Sequence, residues 1–388
     1  MKKTILVALA TASTIAMLAG CTTSATECSA KSACAEKRAC ADCNDCASRP
    51  ACNSKTQCKK AKDKGLCPKK CNVINNCCWG SWALYLPYET MNAGHLILSK
   101  DEQGKAQAKI LLRWASPFME KEVQVKGDTF TLASATKKPK GKDAENKAAW
   151  RTRVISGKVS GCKASCKIEE VDGNGKVLKS ESFMAMRNPP IGPAPDLSKA
   201  VYGEAIDILA PGMDGLAIMD QKAINGWSIK DGVLSNRLQR KADGKPKGHH
   251  ANIRTKRADF FDFTLSYDVR VLPKCNSGMY LRGIYEIQVL DSYGKPVYCH
   301  NMAAFYGRIT PSVAAEKPAN EWQKVEVTLW KRHVTVVLNG VKIIDNQPVE
   351  GITGGAMTPN EFIPGPLYIQ GDHSDADFRN IVLKPILN

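Results

Sequence analysis

"DFTLSYDVRVL", residues 262–272, sets Phe263, Leu265, Tyr267, Val269 and Val271 against Thr264, Ser266, Asp268 and Arg270. A period of two puts the apolar set on one face of a β-strand and the polar set on the other, so one side of this stretch belongs in a core. Comparable runs follow: "GMYLRG", "YEIQVLD", "KVEVTLW", "HVTVVLNGVKIID", "GPLYIQG" and "DFRNIVLKPI". No long amphipathic helix interrupts them. Asn339-Gly340, between two apolar runs, has the chemistry of a type I′ hairpin, since both residues tolerate positive φ. Many short strands across 202–388 predict an all-β, two-sheet sandwich.

Upstream, "NPPIGPAPD", residues 188–196, holds four prolines in nine residues. Proline fixes φ and removes a donor, so 187–201 reads as a stiff, extended linker and domain boundary. Residues 79–186 return to short alternating runs with turn signals such as "DGNG" at 172–175, which predicts a small antiparallel β domain with nothing catalytic in it. Cys162 and Cys166 could pair across a bend there.

Residues 21–78 differ again, with twelve of the chain's 16 cysteines among Lys, Ala, Ser and Asn. Such a low-complexity segment lacks the apolar side chains for a core and needs disulfides or metal, or stays a loose tether. Cys40, Cys43 and Cys46 form a CxxCxxC run, but the segment has no His for a familiar zinc pattern. Residues 1–20 open with "MKK" and an apolar run ending in "LAGC", the order of an export signal. Small residues before Cys21 resemble a bacterial lipobox, with Cys21 the lipid-bearing residue. The expectation is an exported protein, lipid-anchored to the bacterial cell envelope on its periplasmic or surface side. No later apolar run reaches the ~20 residues of a membrane span. The net charge of +17 is spread over scattered lysines without interleaved aromatics, which argues against nucleic acid and toward an acidic polysaccharide or an anionic envelope surface. Oligomeric state is not legible.

Several blocks, "NSGMYLRGIYEIQVLDSYGK" (276–295), "HNMAAFYGRITPSV" (300–313), "EWQKVEVTL" (321–329) and "GPLYIQGDHSDADFRNIVLKPI" (365–386), resemble the bacterial 3-keto-disaccharide hydrolase domain family. The resemblance runs over 202–388 and implies a concanavalin-like jelly roll. It also implies cleavage of glycosides already oxidised to a ketone at C3. The ketone acidifies C2–H, so a base can remove that proton while the C1 oxygen leaves, and water then adds. This needs a base, an electropositive group at the C3 oxygen and a donor for the leaving oxygen.

In the strand that begins at Tyr285, Glu286 and Gln288 share one face, and Asp291 joins them only through a bulge. E-x-Q-x-x-D is similar to the E-x-D-x-x-E strand of family 16 glycosidases, with Gln and the shorter Asp as departures. The catalytic candidates are Glu286 or His373 as base and Arg282 as the cation. Gln288, Asp291, Tyr280, Asn276, Gln370 and His300 are candidate substrate contacts. Asp372 and His373 are candidate ligands for a divalent metal. Cys275 and Cys299 bracket the hairpin and could be disulfide-linked. A non-catalytic carbohydrate-binding or envelope-anchoring module is the alternative reading.

Overall fold

A computed structural model describes residues 77–388, which form two antiparallel β bodies. Cys21, the export signal and the CxxCxxC run lie outside these residues. Among the described residues no helix is long and apolar enough to cross a membrane.

The first body is a single sheet of nine strands. Its spatial order is Phe118–Met119, Ala106–Leu112, Ala93–Lys100, Gly80–Tyr85, Val177–Arg187, Lys163–Val171, Thr152–Ser160, Thr129–Ala133 and Glu122–Lys126. The sheet curls until the Ala106–Leu112 strand meets Glu122–Lys126, enclosing Trp82, Leu96, Leu98, Ile110, Phe130 and Leu132. Gly157 is needed in the wall, because a Cβ there would stand 2.3 Å from the Phe130 ring. Cys166 is a buried free thiol whose Sγ points to the Ala164 carbonyl.

The second body is the expected sandwich. Its larger sheet runs Trp227–Lys230, Val233–Asn236, Ala376–Pro385, Phe263–Val271, Trp322–Trp330, His333–Leu338 and Val341–Pro348, with the short Ile206–Asp207 strand beside Ala376–Pro385. The smaller runs Leu216–Ile218, Ile253–Thr255, Tyr368–Ile369, Asn276–Leu281 and Tyr285–Leu290. The Phe263–Val271 strand alternates buried and half-buried along its whole length. Its apolar residues meet Met279, Ile287, Val289 and Ile369 in one core. Asn339 and Gly340 have φ of 52° and 84° and close the predicted hairpin.

The two bodies are packed together. Ala93 and Leu111 of the first belong to the core of the second. Asn188, in the proline-rich stretch, is buried and donates from Nδ2 to Glu361 Oε2 at 2.9 Å. Glu361 is fully buried and also accepts from the Tyr285 hydroxyl and Gly351 N, and it faces Arg332 at 3.4 Å.

Candidate functional site

Tyr285, Ile287 and Val289 face the core, which turns Glu286 and Gln288 to the outer face of the smaller sheet. The register opposes Glu286 to Tyr280 and Gln288 to Gly278, and sets Tyr368 beside Tyr280 on the next strand. One outer row therefore reads Tyr368, Tyr280, Glu286. The two tyrosine rings stack with centroids 4.2 Å apart and planes 16° apart, an arrangement worth about 1 kcal/mol beyond burial. Gly278 makes room in this face: a Cβ on it would stand 2.3 Å from Glu286 Oε1.

Glu286 is only 3% exposed, because the segment Ala303–Tyr306 runs along the edge of its strand and the 351–357 loop closes over it. Burial, reinforced by the charge of Asp372 and only partly offset by the Tyr280 hydroxyl, pushes its pKa up to about 8. The Tyr280 hydroxyl lies 2.9 Å from Glu286 Oε2 and 2.8 Å from the Gly354 carbonyl oxygen. One hydroxyl proton can serve only one of these, and a carbonyl can only accept. Near neutral pH the protonated Glu286 donates to Tyr280, which donates to Gly354. When Glu286 ionises, the Tyr280 proton turns to the carboxylate.

At the rim, His373 Nδ1 is 2.5 Å from Asp372 Oδ1, and the imidazole is half exposed. Asp372 raises the His373 pKa above its ordinary value and so favours imidazolium. Two backbone amides, of Gly371 and Asp372, bind Asn252 Oδ1 and fix this loop. Gln370 joins the site through its backbone, whose N–H donates to the Gly278 carbonyl, while its side-chain Oε1 is buried with no hydrogen-bond partner among the described residues. Asn276 lies two residues before Gly278 on the same face, opposite Leu290.

His300 also comes to this region. Its ring stacks on Tyr306 at 4.7 Å and meets Tyr298 edge-on at 4.9 Å. Burial lowers its pKa. The charge of Glu286 is felt at Tyr306, whose backbone N–H donates to the Glu286 carbonyl.

Two expected residues lie elsewhere. Arg282 does not continue the strand: it sits in the three-residue turn with φ 54°, its guanidinium over the Phe261 and Tyr285 rings, and it donates to the Glu361 carbonyl. The left-handed turn points it away from the Glu286 face, so it cannot serve the C3 oxygen. Asp291 lies past the strand with no bulge in the register, and its Oδ2 accepts from Lys274 N. Asp372 and His373 hydrogen-bond each other, and among the described residues no three His, Cys, Asp or Glu side chains gather around a common point. Cys275 and Cys299 are free thiols, and Cys275 accepts from Ser374 Oγ.

Three residues missed by sequence reasoning border the site: Trp114 and Ser116 of the first body and Tyr306. Ser116 Oγ is 2.6 Å from His300 Nε2 and also bonds Tyr306. Their contacts depend on folding back a loop where Arg113 and Ala115 both have positive φ, 46° and 64°, which nothing in "LLRWASP" announces.

A jelly-roll sandwich with carboxyl, amide and stacked aromatic groups on the outer face of one sheet has the fold of the carbohydrate-active, glycosyl hydrolase-like proteins. Residues 215–384, within this C-terminal sandwich, match the family model of the 3-keto-alpha-glucoside-1,2-lyase-like domain. Among solved structures, a candidate glycosyl hydrolase from Parabacteroides distasonis ATCC 8503 is similar at 24% identity, over 47% of this chain and 84% of that one, with a TM-score of 0.37. The carbohydrate-binding module CBM66 from Bacillus subtilis is similar at 12% identity, over 43% and 93%, with a TM-score of 0.29. SCLam, a non-specific endo-β-1,3(4)-glucanase of family GH16, is similar at 11% identity, over 50% and 93%, with a TM-score of 0.32. No curated protein matches the chain.

Proposed function

We propose that the protein cleaves 3-keto-glycosides by elimination followed by hydration, with Glu286 as the base. The observation that carries this is a buried carboxyl with a pKa of about 8, coupled through Tyr280 to a carbonyl and set in a family-matched sheet. A carboxylate this basic is suited to removing the C2 proton of a β-keto glycoside, and an ordinary carboxylate is far weaker. In the first step the C2–H bond breaks and its electron pair forms the C1=C2 bond. The C1–O bond breaks with it, and the leaving oxygen takes a proton. In the second step water oxygen adds to C1 and a proton returns to C2. The imidazolium of His373, held by Asp372, supplies the positive charge for the C3 oxygen that Arg282 was expected to supply. Gln288 orients hydroxyls, the proton that Glu286 gains from C2 goes to the leaving oxygen, and the Tyr280 hydroxyl donates to Glu286 when it is a carboxylate.

The test is incubation with a 3-keto-glucoside and with the unoxidised glucoside, each with and without chelator. The account expects turnover of the keto-sugar alone, unchanged by chelator. Glycan binding without turnover of any keto-sugar would favour the non-catalytic module.

The export signal and Cys21 support a location on the outer side of the bacterial membrane, held by lipid. Replacement of Cys21 by Ala should move the protein from the membrane fraction to the soluble fraction. Retention in the membrane would refute lipidation at Cys21.

A further inference from the structure

The first body reaches the Glu286 site through one loop, and the sandwich is shaped to receive it. Three glycines of the sandwich lie where the loop arrives. A Cβ on Gly354 would stand 2.2 Å from the Ala115 carbonyl oxygen, and one on Gly307 would stand 2.4 Å from Ser116 Oγ. A Cβ on Gly355 would stand 2.8 Å from the Tyr280 hydroxyl and 3.6 Å from the Trp114 ring, so Gly355 lies between the two with no side chain to separate them. The Gly355 N–H donates to the Arg113 carbonyl at 2.7 Å, and Ser116 anchors His300 and Tyr306.

Trp114 nevertheless stays 52% exposed, although the loop around it is docked. Its ring is braced from behind: the Arg113 guanidinium lies 4.9 Å from the Trp114 ring and 4.6 Å from the Tyr88 ring, and it donates to the Thr90 carbonyl. A rigid, exposed indole beside a buried acid and its tyrosine has the form of a stacking surface for an apolar sugar face.

We infer that Trp114, carried by the N-terminal β body, is the sugar-stacking wall of the Glu286 site and sets which glycoside is accepted. The sandwich alone is then an incomplete site, and the partner of this wall is a pyranose ring next to the keto-sugar. This rests on the keto-glycoside reading above.

The experiment compares wild type, Trp114→Ala, Trp114→Phe and Glu286→Gln in the full chain, with a 3-keto-disaccharide as ligand. Titration, steady-state kinetics and intrinsic fluorescence are the readouts, with melting temperature as the control for folding. W114A should raise Kd and KM at least 10-fold with kcat within about threefold, and W114F should recover most of the affinity. Ligand should quench fluorescence in wild type and not in W114F. E286Q should bind as wild type does without turnover. If W114A binds and turns over the sugar as wild type does while E286Q is dead, the wall is refuted and the keto-glycoside reading stands. If wild type neither binds nor cleaves the keto-sugar, both fall. Should W114A unfold, W114F decides: wild-type quenching in that variant overturns the inference.

Discussion

Glu286 holds its proton beside the Tyr280 hydroxyl, and this has consequences for stability as well as chemistry. The folded protein holds the Glu286 proton more tightly than the unfolded chain does, up to about pH 8 against an ordinary value of 4.5. Its stabilising contribution is therefore complete below about pH 4.5 and is lost as pH rises through about 8. Denaturant unfolding of wild type and Glu286→Gln at pH 5 and pH 9 should show wild type losing more stability than the variant over that interval. Equal losses would mean that the carboxyl is not held protonated. The sign for activity is opposite. The base form grows as pH approaches 8, so kcat/KM should climb over the same range.

The hairpin of Asn276–Leu281 and Tyr285–Leu290 was half legible in the sequence. Alternation gives the face of Glu286, Gln288 and Tyr280, because period-two patterning is a property of the strand itself. It fails at Arg282, because three residues of turn follow Leu281 and two of them, Arg282 and Gly283, adopt positive φ. It holds for Asp291, which alternation sets off that face: no bulge brings it back, and the carboxylate accepts from Lys274 N. His250, in the Gly- and Lys-rich stretch 244–250, is buried with Nε2 accepting from Gln239 N. Burial of a loop is decided by what packs on it, which local sequence does not encode. At this scale Gly278 is the sharpest position. Gly278→Ala would drive a methyl into Glu286 Oε1, so it should cost most of the turnover while the sandwich still melts cooperatively. Wild-type turnover in G278A would show that Glu286 has no fixed position to lose.

Across the whole molecule, Glu361 does for the assembly what Glu286 does for the site. Five groups meet it from different parts of the chain: Asn188, Tyr285, Gly351, Arg332 and, at its carbonyl, Arg282. Glu361→Ala would take the shared carboxylate from the half-buried Arg332 and the buried Asn188, leaving them only the Pro189 carbonyl and Ser81 Oγ, at a cost of roughly 3 kcal/mol. A lowered denaturant midpoint checks this, and an unchanged midpoint would mean that Glu361 does not hold the assembly together. The sequence separated these bodies by composition but could not place the Trp114 loop against Gly354 and Gly355, because contacts between distant segments leave no periodicity. The central claim, that Glu286 takes the C2 proton, has one direct test: run the cleavage of a 3-keto-glucoside in heavy water and examine C2 of the released keto-sugar. Elimination followed by hydration predicts deuterium at C2 with wild type, above the level of slow exchange without protein, and none with E286Q. Released sugar that keeps its original hydrogen at C2 would contradict the account.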